Sequence, residues 1–245
     1  MIRVASYNIR KCIGTDRRRV PGRVLDVIAE VDADVIALQE ADRRFGARPS
    51  ALPPADIARM GYRSVELGGR AASIGWHGNA ILVREDARIE NARPLDLPTL
   101  EPRGAVMAEI DFGSGKRLRV IGMHLDLSGL WRRRQVRALL DQIDGCEERL
   151  PTVLMGDMNE WTRSGGSLRE IGADYELVAT GRSFHSRRPV AELDRIILSR
   201  GVTMNNGGVH HSPLATRASD HLPIWADIAA EGWLPNPAAR IEDSA

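Results

Sequence analysis

Six apolar runs in this 245-residue chain stop at side chains able to do chemistry. They end at Asn8 in SYNIR, Glu40 in LQE, His124 in GMHLDL, Asp157 and Asn159 in GDMN, Asp194 in ELDRIIL, and Asp220-His221 in SDHLPI. Asp and Glu are rarely buried unless paired or bound to a metal, so one such residue reads as a cap or a turn former, whereas six sites ask for a common purpose. Carboxylates with amide and imidazole partners, and no cysteine cluster, suit a hard divalent ion such as Mg²⁺ or Mn²⁺. Such an ion polarises a phosphoryl oxygen and offsets charge on a leaving group. Histidines supply proton transfer or hydrogen bonds to a pentacoordinate phosphorane, and a buried Asp can orient the ring. The chemistry these residue types point to is hydrolysis of a phosphate ester.

The elements that must position them are legible in the same runs. Ile2 to Asn8 is β-branched and reads as a buried strand; Pro21 opens a helix carrying Val24, Leu25, Val27, Ile28 and Val31 at helical spacing; Asp34 to Glu40 is a second buried strand. A short helix over Pro54–Met60 and strands at Tyr62–Leu67 and Asn79–Arg84 follow. Strands at Ala105–Asp111 and Arg117–His124 flank a Gly113-Ser114-Gly115 turn. Ser128 caps a helix to about Ile143, Pro151–Asp157 is another buried strand, and Leu193–Ser199, Val202–His210 and Leu222–Ala229 close the pattern. Strand–helix–strand thus occurs twice, ending first at Asn8 and Glu40 and then at His124 and Asp157, which suggests two similar layers. Strand ends are where α/β sheets place side chains into a shared crevice.

Composition narrows the classes. With 34 Lys+Arg against 33 Asp+Glu the formal charge is +1, so bulk positive charge is not what would grip a nucleic acid. Two cysteines make neither a disulfide framework nor a four-cysteine zinc site, and no apolar run is long enough to span a bilayer. The expectation is a cytoplasmic monomer: one α/β catalytic domain over residues 1–231 and a loose Pro- and Ala-rich tail over 232–245.

The ordered set SYNIR, LQE, HLDL, GDMN, LDRI and SDHLPI, from Ser6 to Ile224, resembles the endonuclease/exonuclease/phosphatase superfamily with the deoxyribonuclease-I-like fold. Each motif alone is unspecific, and the ordered six are specific. The resemblance implies a four-layered α/β sandwich, two facing mixed β-sheets flanked by helices, with the site at one edge. It implies Glu40 as principal metal ligand, with Asn8 beside it and Asp220 as a further ligand. His124 would contact the phosphate or aid the leaving group, Asp157 position or activate water, and Asn159 hold the phosphate. His221, oriented by Asp194, would serve as base or phosphorane stabiliser. Two departures stand out. The abasic-site endonuclease branch has Tyr at the place of His124 and Asp at that of Arg10, which disfavours that branch. Pancreatic-type deoxyribonucleases orient their first His with a Glu from an earlier strand, and here only Asn79 offers a polar counterpart.

The basic residues divide opinion. Arg17-Arg18-Arg19 and Arg132-Arg133-Arg134 read equally as solvated faces or as recognition of a polyanion; Arg103 and Arg132 are the candidates for substrate phosphate. His77, His185, His210 and His211 read as structural or surface residues, and Cys12 as a small buried hydrophobe. The expected function is a Mg²⁺- or Mn²⁺-dependent phosphoester hydrolase acting on a diester, with DNA or RNA among its substrates. Small organophosphates, lipid head groups and inositol phosphates form the alternative substrate class, and a non-catalytic binding protein on the same fold ranks below both.

Overall fold

A computed structural model of the chain describes residues 1–43, 49–68 and 72–233. Continuous apolar runs make strands that must be covered on both faces, and two parallel pairs of such strands organise the molecule. β1 (Ile2–Asn8) runs through α1 (Pro21–Val31) into β2 (Val35–Gln39), its parallel neighbour. Beyond the short α2 (Pro54–Arg59), β3 (Tyr62–Ser64) and β4 (Ala80–Arg84) extend that sheet. The second sheet contains β5 (Arg88–Leu95), β6 (Gly104–Asp111), β7 (Arg117–His124), β8 (Thr152–Asp157), β9 (Tyr175–Val178) and β10 (Asp194–Ser199). Its parallel pair, β7 and β8, is joined through α3 (Gly129–Asp144). β11 (Val202–Val209), α4 (Pro213–Ala218) and β12 (Ile224–Ala230) then return the chain to the first sheet. The strand orders are β11-β12-β1-β2-β4-β3 and β5-β6-β7-β8-β10-β9, six strands each.

Strand alternation decides which residues face what. In β2, Val35 and Ala37 enter the core between the sheets, while Ile36 and Leu38 join Val24, Val27 and Ile28 of α1 on the outer side. In β7, Leu118 and Val120 face the other sheet, while Ile121 and Met123 meet Val136, Leu139 and Ile143 of α3. The result is the four-layered sandwich that the family resemblance implies. Gly122 lies where the sheets press together, since a Cβ there would sit 3.1 Å from Ala37 Cβ.

Three described elements carry no pattern that marks them beforehand. β5 is largely polar and half exposed, with Pro94 on it, as an edge strand permits. β9 and α4 are short, and β3 stops at Ser64 rather than running to Leu67. Ser128 holds the N-cap position of α3, but its side chain makes no capping bond; its backbone N–H instead donates to Asp126 Oδ1 at 2.9 Å. At the C-terminal side, Trp233 is buried against the inter-sheet core and its N–H donates to Ala230 O at 3.1 Å. It belongs to the fold, while the expected tail beyond it, 234–245, lies outside the described residues. Among the described residues, no helix is long and apolar enough to cross a membrane.

The two parallel pairs finish at one edge. β1 and β2 end at Asn8 and Gln39, one residue before Glu40, and β7 and β8 end at His124 and Asp157, which are register partners. β10, antiparallel to β8, starts at that edge with Asp194 opposite Asp157. β12, antiparallel to β1, starts there at Ile224, directly after the SDHLP segment. Replacing Gly156 by Ala would bring a Cβ to 1.9 Å from Met123 O, in the β7–β8 ladder one residue before the site. We expect Gly156→Ala to cost about 2–3 kcal/mol in urea unfolding. An unchanged midpoint would show that the seam tolerates a side chain.

Candidate active site

Asp157 is the centre of the assembly. It is 2% exposed, and a carboxylate that far from water needs donors. Asn8 Nδ2, from the other sheet, donates to Asp157 Oδ2 at 3.0 Å, and the N–H of Asn159 donates to Oδ1 at 2.9 Å. His124 Nε2 lies 3.4 Å from the same Oδ2, and His221 Nε2 3.8 Å from it. His221 Nδ1 hydrogen-bonds Asp194 Oδ2 at 2.8 Å, and the hydroxyl of Ser183 donates to that same oxygen. Asn159 turns its amide inward, donating to Leu125 O at 2.9 Å.

The two histidines are shifted in opposite directions. Burial pushes His124 down to about 3, with Arg103 and His221 adding to the effect and Asp157 opposing it. The geometry agrees: the Arg103 guanidinium contacts His124 Nε2, and since arginine can only donate, that nitrogen must carry a lone pair. For His221, burial opposes the charge, but Asp194 and Asp157 outweigh it and raise the group to about 10. Both rings thus lie beside one carboxylate, His124 with its Nε2 taken by Arg103 and His221 with its Nδ1 held by Asp194.

Asn8, His124, Asp157, Asn159, Asp194 and His221 are brought together. Glu40 lines a cleft with Lys11, Arg103 and His124, but its carboxylate is held by the Lys11 ammonium. Asp220 pairs with Arg10 at 3.2 Å. Both cations come from the turn after Asn8, where Arg10, Lys11 and Cys12 all adopt positive φ (45°, 55° and 60°). Among the described residues, the carboxylate and imidazole atoms that converge within 4.8 Å are those of Asp157, Asp194 and His221, without Glu40 or Asp220. The His221 Nδ1–Asp194 contact makes this trio a hydrogen-bonded line as well as a set of atoms able to hold a cation.

Arg103 lines the cleft and donates also to Leu125 O at 3.1 Å. Arg132 is not available to a substrate phosphate. It is 8% exposed, donates to Leu127 O at 2.6 Å and Asp126 O at 3.2 Å, and pairs with the buried Glu160 at 3.3 Å. The carboxylate of Glu160 is surrounded by donors: burial would raise it, but the N–H groups of Ser167 and Thr162, the Thr162 hydroxyl and Arg132 bring it to about 2. Asn79 does not orient His124; its amide donates to Gly104 O at 3.1 Å. Cys12 is buried and pushed up to about 12 by that burial, which suits a hydrophobe rather than a nucleophile. His210 pairs at the surface with Glu30 at 2.8 Å. Sequence reasoning missed Lys11, Ser183 and Phe184, whose ring lies 4.9 Å from that of His221. Lys11 follows the SYNIR motif by a single residue, and that adjacency was the available signal; Ser183 and Phe184 had none.

Two stacked six-stranded sheets with carboxylate, amide and imidazole groups at one shared edge define a deoxyribonuclease-I-like α/β sandwich. The chain belongs to the endonuclease/exonuclease/phosphatase family, whose sequence profile matches residues 5–221. Over 244 aligned residues it is 25% identical to the uncharacterized protein YbhP of Escherichia coli K12, covering 92% of this chain and 95% of that one. Its fold is similar to that of D. rerio TDP2 complexed with a single-strand DNA product (TM-score 0.70, 19% identity, 94% and 99% of the two chains). It is equally similar to the mannosyl-6-phosphatase Bt3783 of Bacteroides thetaiotaomicron (TM-score 0.70, 17% identity, 94% and 100%).

In the metal-free protein neither histidine should titrate between about pH 5 and 8. Imidazole ¹⁵N NMR should find His124 neutral and His221 doubly protonated throughout. The stability contributions run in opposite directions. That of His124 is present above its ordinary 6.5 and is lost as pH falls towards about 3, because the unfolded ring takes up a proton first. That of His221 is complete below 6.5 and is lost as pH rises towards about 10. A ring titrating near 6.5 at either position would contradict the assigned environment.

Proposed function

We propose that this chain is a divalent-metal-dependent hydrolase of phosphate diesters. The observation that carries the reading is the line Asp194–His221–Asp157–Asn8, in which a buried histidine held by one aspartate faces a second buried aspartate that is also held across the sheets. The donors around the cleft are oxygens and nitrogens without sulfur, and Glu40 already holds a cationic group there, so the set fits a hard divalent ion. Glu40 would hold that ion, with Asn8 next to it on the neighbouring strand. When bound, the ion supplies charge that offsets the negative charge growing on the phosphoryl and leaving-group oxygens.

The chain's own residues do the rest. Asp157 orients a water through its free lone pairs and takes its proton as the water oxygen bonds to phosphorus. The ester P–O bond on the far side breaks, the departing oxygen takes a proton from solvent water while Asp157 returns its own to solvent, and an alcohol and a phosphate monoester are released. The His221 imidazolium, kept charged by Asp194, hydrogen-bonds the phosphoryl oxygen as its charge rises. Neutral His124 and the Arg103 guanidinium bound to it face the cleft, where they steady the departing oxygen. Phe184 against His221, and the exposed Trp161 against Phe184, offer an apolar surface to the second ester group. A monoesterase is the second reading. Lys11, Arg43 and Arg103 lining the cleft favour it, because together they suit a phosphate dianion. The similar folds include a protein bound to a DNA product and a sugar phosphatase, so they support either.

The reading is tested by comparing bis-p-nitrophenyl phosphate, p-nitrophenyl phosphate and supercoiled plasmid with Mg²⁺, Mn²⁺ or EDTA. Metal-dependent diester hydrolysis is expected to fall about a hundredfold or more in Glu40→Ala, with weaker metal binding by calorimetry and an unchanged melting temperature. His221→Gln should lower kcat by about 10²–10⁴. Undiminished rates in both variants would remove these residues from the reaction, and faster turnover of the monoester would select the second reading.

A further inference from the structure

Among the described residues, seven large apolar side chains are exposed, and five of them, Leu100, Leu127, Leu130, Trp161 and Val190, lie on segments tied to one another beside the site. The ties are specific. Leu100 N donates to Asp126 Oδ2 at 3.3 Å, and Asp126 Oδ1 accepts from Ser128 N at 2.9 Å, between Leu127 and Leu130. Arg132 joins Leu127 O at 2.6 Å to Glu160 at 3.3 Å, the residue before Trp161. The Trp161 ring meets Phe184 edge-on at 5.9 Å, and Phe184 O accepts from Val190 N at 2.7 Å. Asp126, Arg132 and Glu160 are buried charges that no step of the reaction uses. Burying charge is costly unless it is paired, and what these three accomplish is to pin the segments of Leu100, Leu127–Leu130 and Trp161 to one another, with the Val190 segment joined through the Trp161–Phe184 contact.

Single exposed apolar residues are ordinary, but a group of them gathered beside a site marks an interaction surface. Exposed arginines edge this one: Arg133 and Arg134 follow Leu130 in α3, Arg163 follows Trp161, and Arg187 and Arg188 precede Val190. We propose that this rim docks the protein on the surface of an anionic lipid bilayer, with the cleft opening towards the headgroups. Leu and Trp side chains enter the acyl boundary, while the arginines meet the negative surface. A single-stranded nucleic acid is the poorer occupant, because leucine and valine give bases no stacking platform and Trp161 alone does. Combined with the diesterase reading, on which this clause alone rests, the docked substrate would be a phosphoester of a lipid headgroup.

The test is flotation with vesicles of phosphatidylcholine alone or in equimolar mixture with phosphatidylglycerol, beside oligothymidylate binding and bis-p-nitrophenyl phosphate hydrolysis. Wild-type protein should float with the anionic vesicles, less so at high salt. The variant L100S/L127S/L130S should bind them at least about tenfold more weakly, and so should R133E/R134E. Both variants should keep the wild-type melting temperature and soluble-diester rate. Absence of wild-type binding, or equal binding by both variants, would overturn the docking surface. Oligothymidylate binding lost in the leucine variant, without vesicle binding, would also overturn it and give the rim to nucleic acid. Vesicle binding of the expected pattern without any diester hydrolysis would uphold the surface while sinking the diesterase reading.

Discussion

One carboxylate oxygen, Asp157 Oδ2, is where the two sheets meet chemically. It lies in a dry environment, takes its hydrogen bond from Asn8 on the opposite sheet, and has both site histidines within 3.8 Å. A buried anion of this kind holds its neighbours in place, because withdrawing any donor leaves charge uncompensated. The register of β7, β8 and β10 is constrained with it: His124, Asp157 and Asp194 stand opposite one another in the ladder, and a slip of one residue would turn them to another face. Gly156 and Gly122 belong to the same constraint, one letting the strands close beside Asp157 and the other letting the sheets approach.

The electrostatics follow from which partner each group is given. Burial acts on both histidines alike, so desolvation cannot explain why one is neutral and one charged. The difference lies in their neighbours: Arg103 takes the lone pair of His124, whereas Asp194 takes the Nδ1 proton of His221. The turn after Asn8 plays a similar part for the carboxylates, delivering Arg10 to Asp220 and Lys11 to Glu40. Three consecutive non-glycine residues in the left-handed region are an uncommon backbone, and holding them there costs about 1 kcal/mol or more apiece.

Much of this was legible because buried strands that stop at Asn, Asp, Glu or His advertise both the strand and its polar end. Asn8, His124 and Asp157 stand at such strand ends, whereas Asp194 opens its strand, and the paired strand–helix–strand units did correspond to the two layers. The elements that escaped notice have other physics. β5 is held at an edge by ladder bonds rather than by an apolar pattern, and Trp233 is buried by a turn that composition conceals. The arginine run of α3 shows where sequence must stop: Arg132 is buried on Glu160 and Arg133 is exposed, though nothing distinguishes adjacent residues before the helix phase is known. Ser183 and Phe184 reach Asp194 and His221 only through the loop's path in space.

The return of the last strands to the first sheet has a consequence for how the protein is made. β12 pairs with β1, so one strand of the first sheet waits for a partner that follows it far along the chain. A growing chain therefore carries Asn8, Glu40 and Asp157 long before it carries His221 or a partner for the edge of β1. Until then the early strands have an open side and a high loop-closure cost to meet, the circumstances in which unfinished chains associate wrongly. The same arrangement delays completion of the site, since His221 arrives together with the strand that completes the sheet.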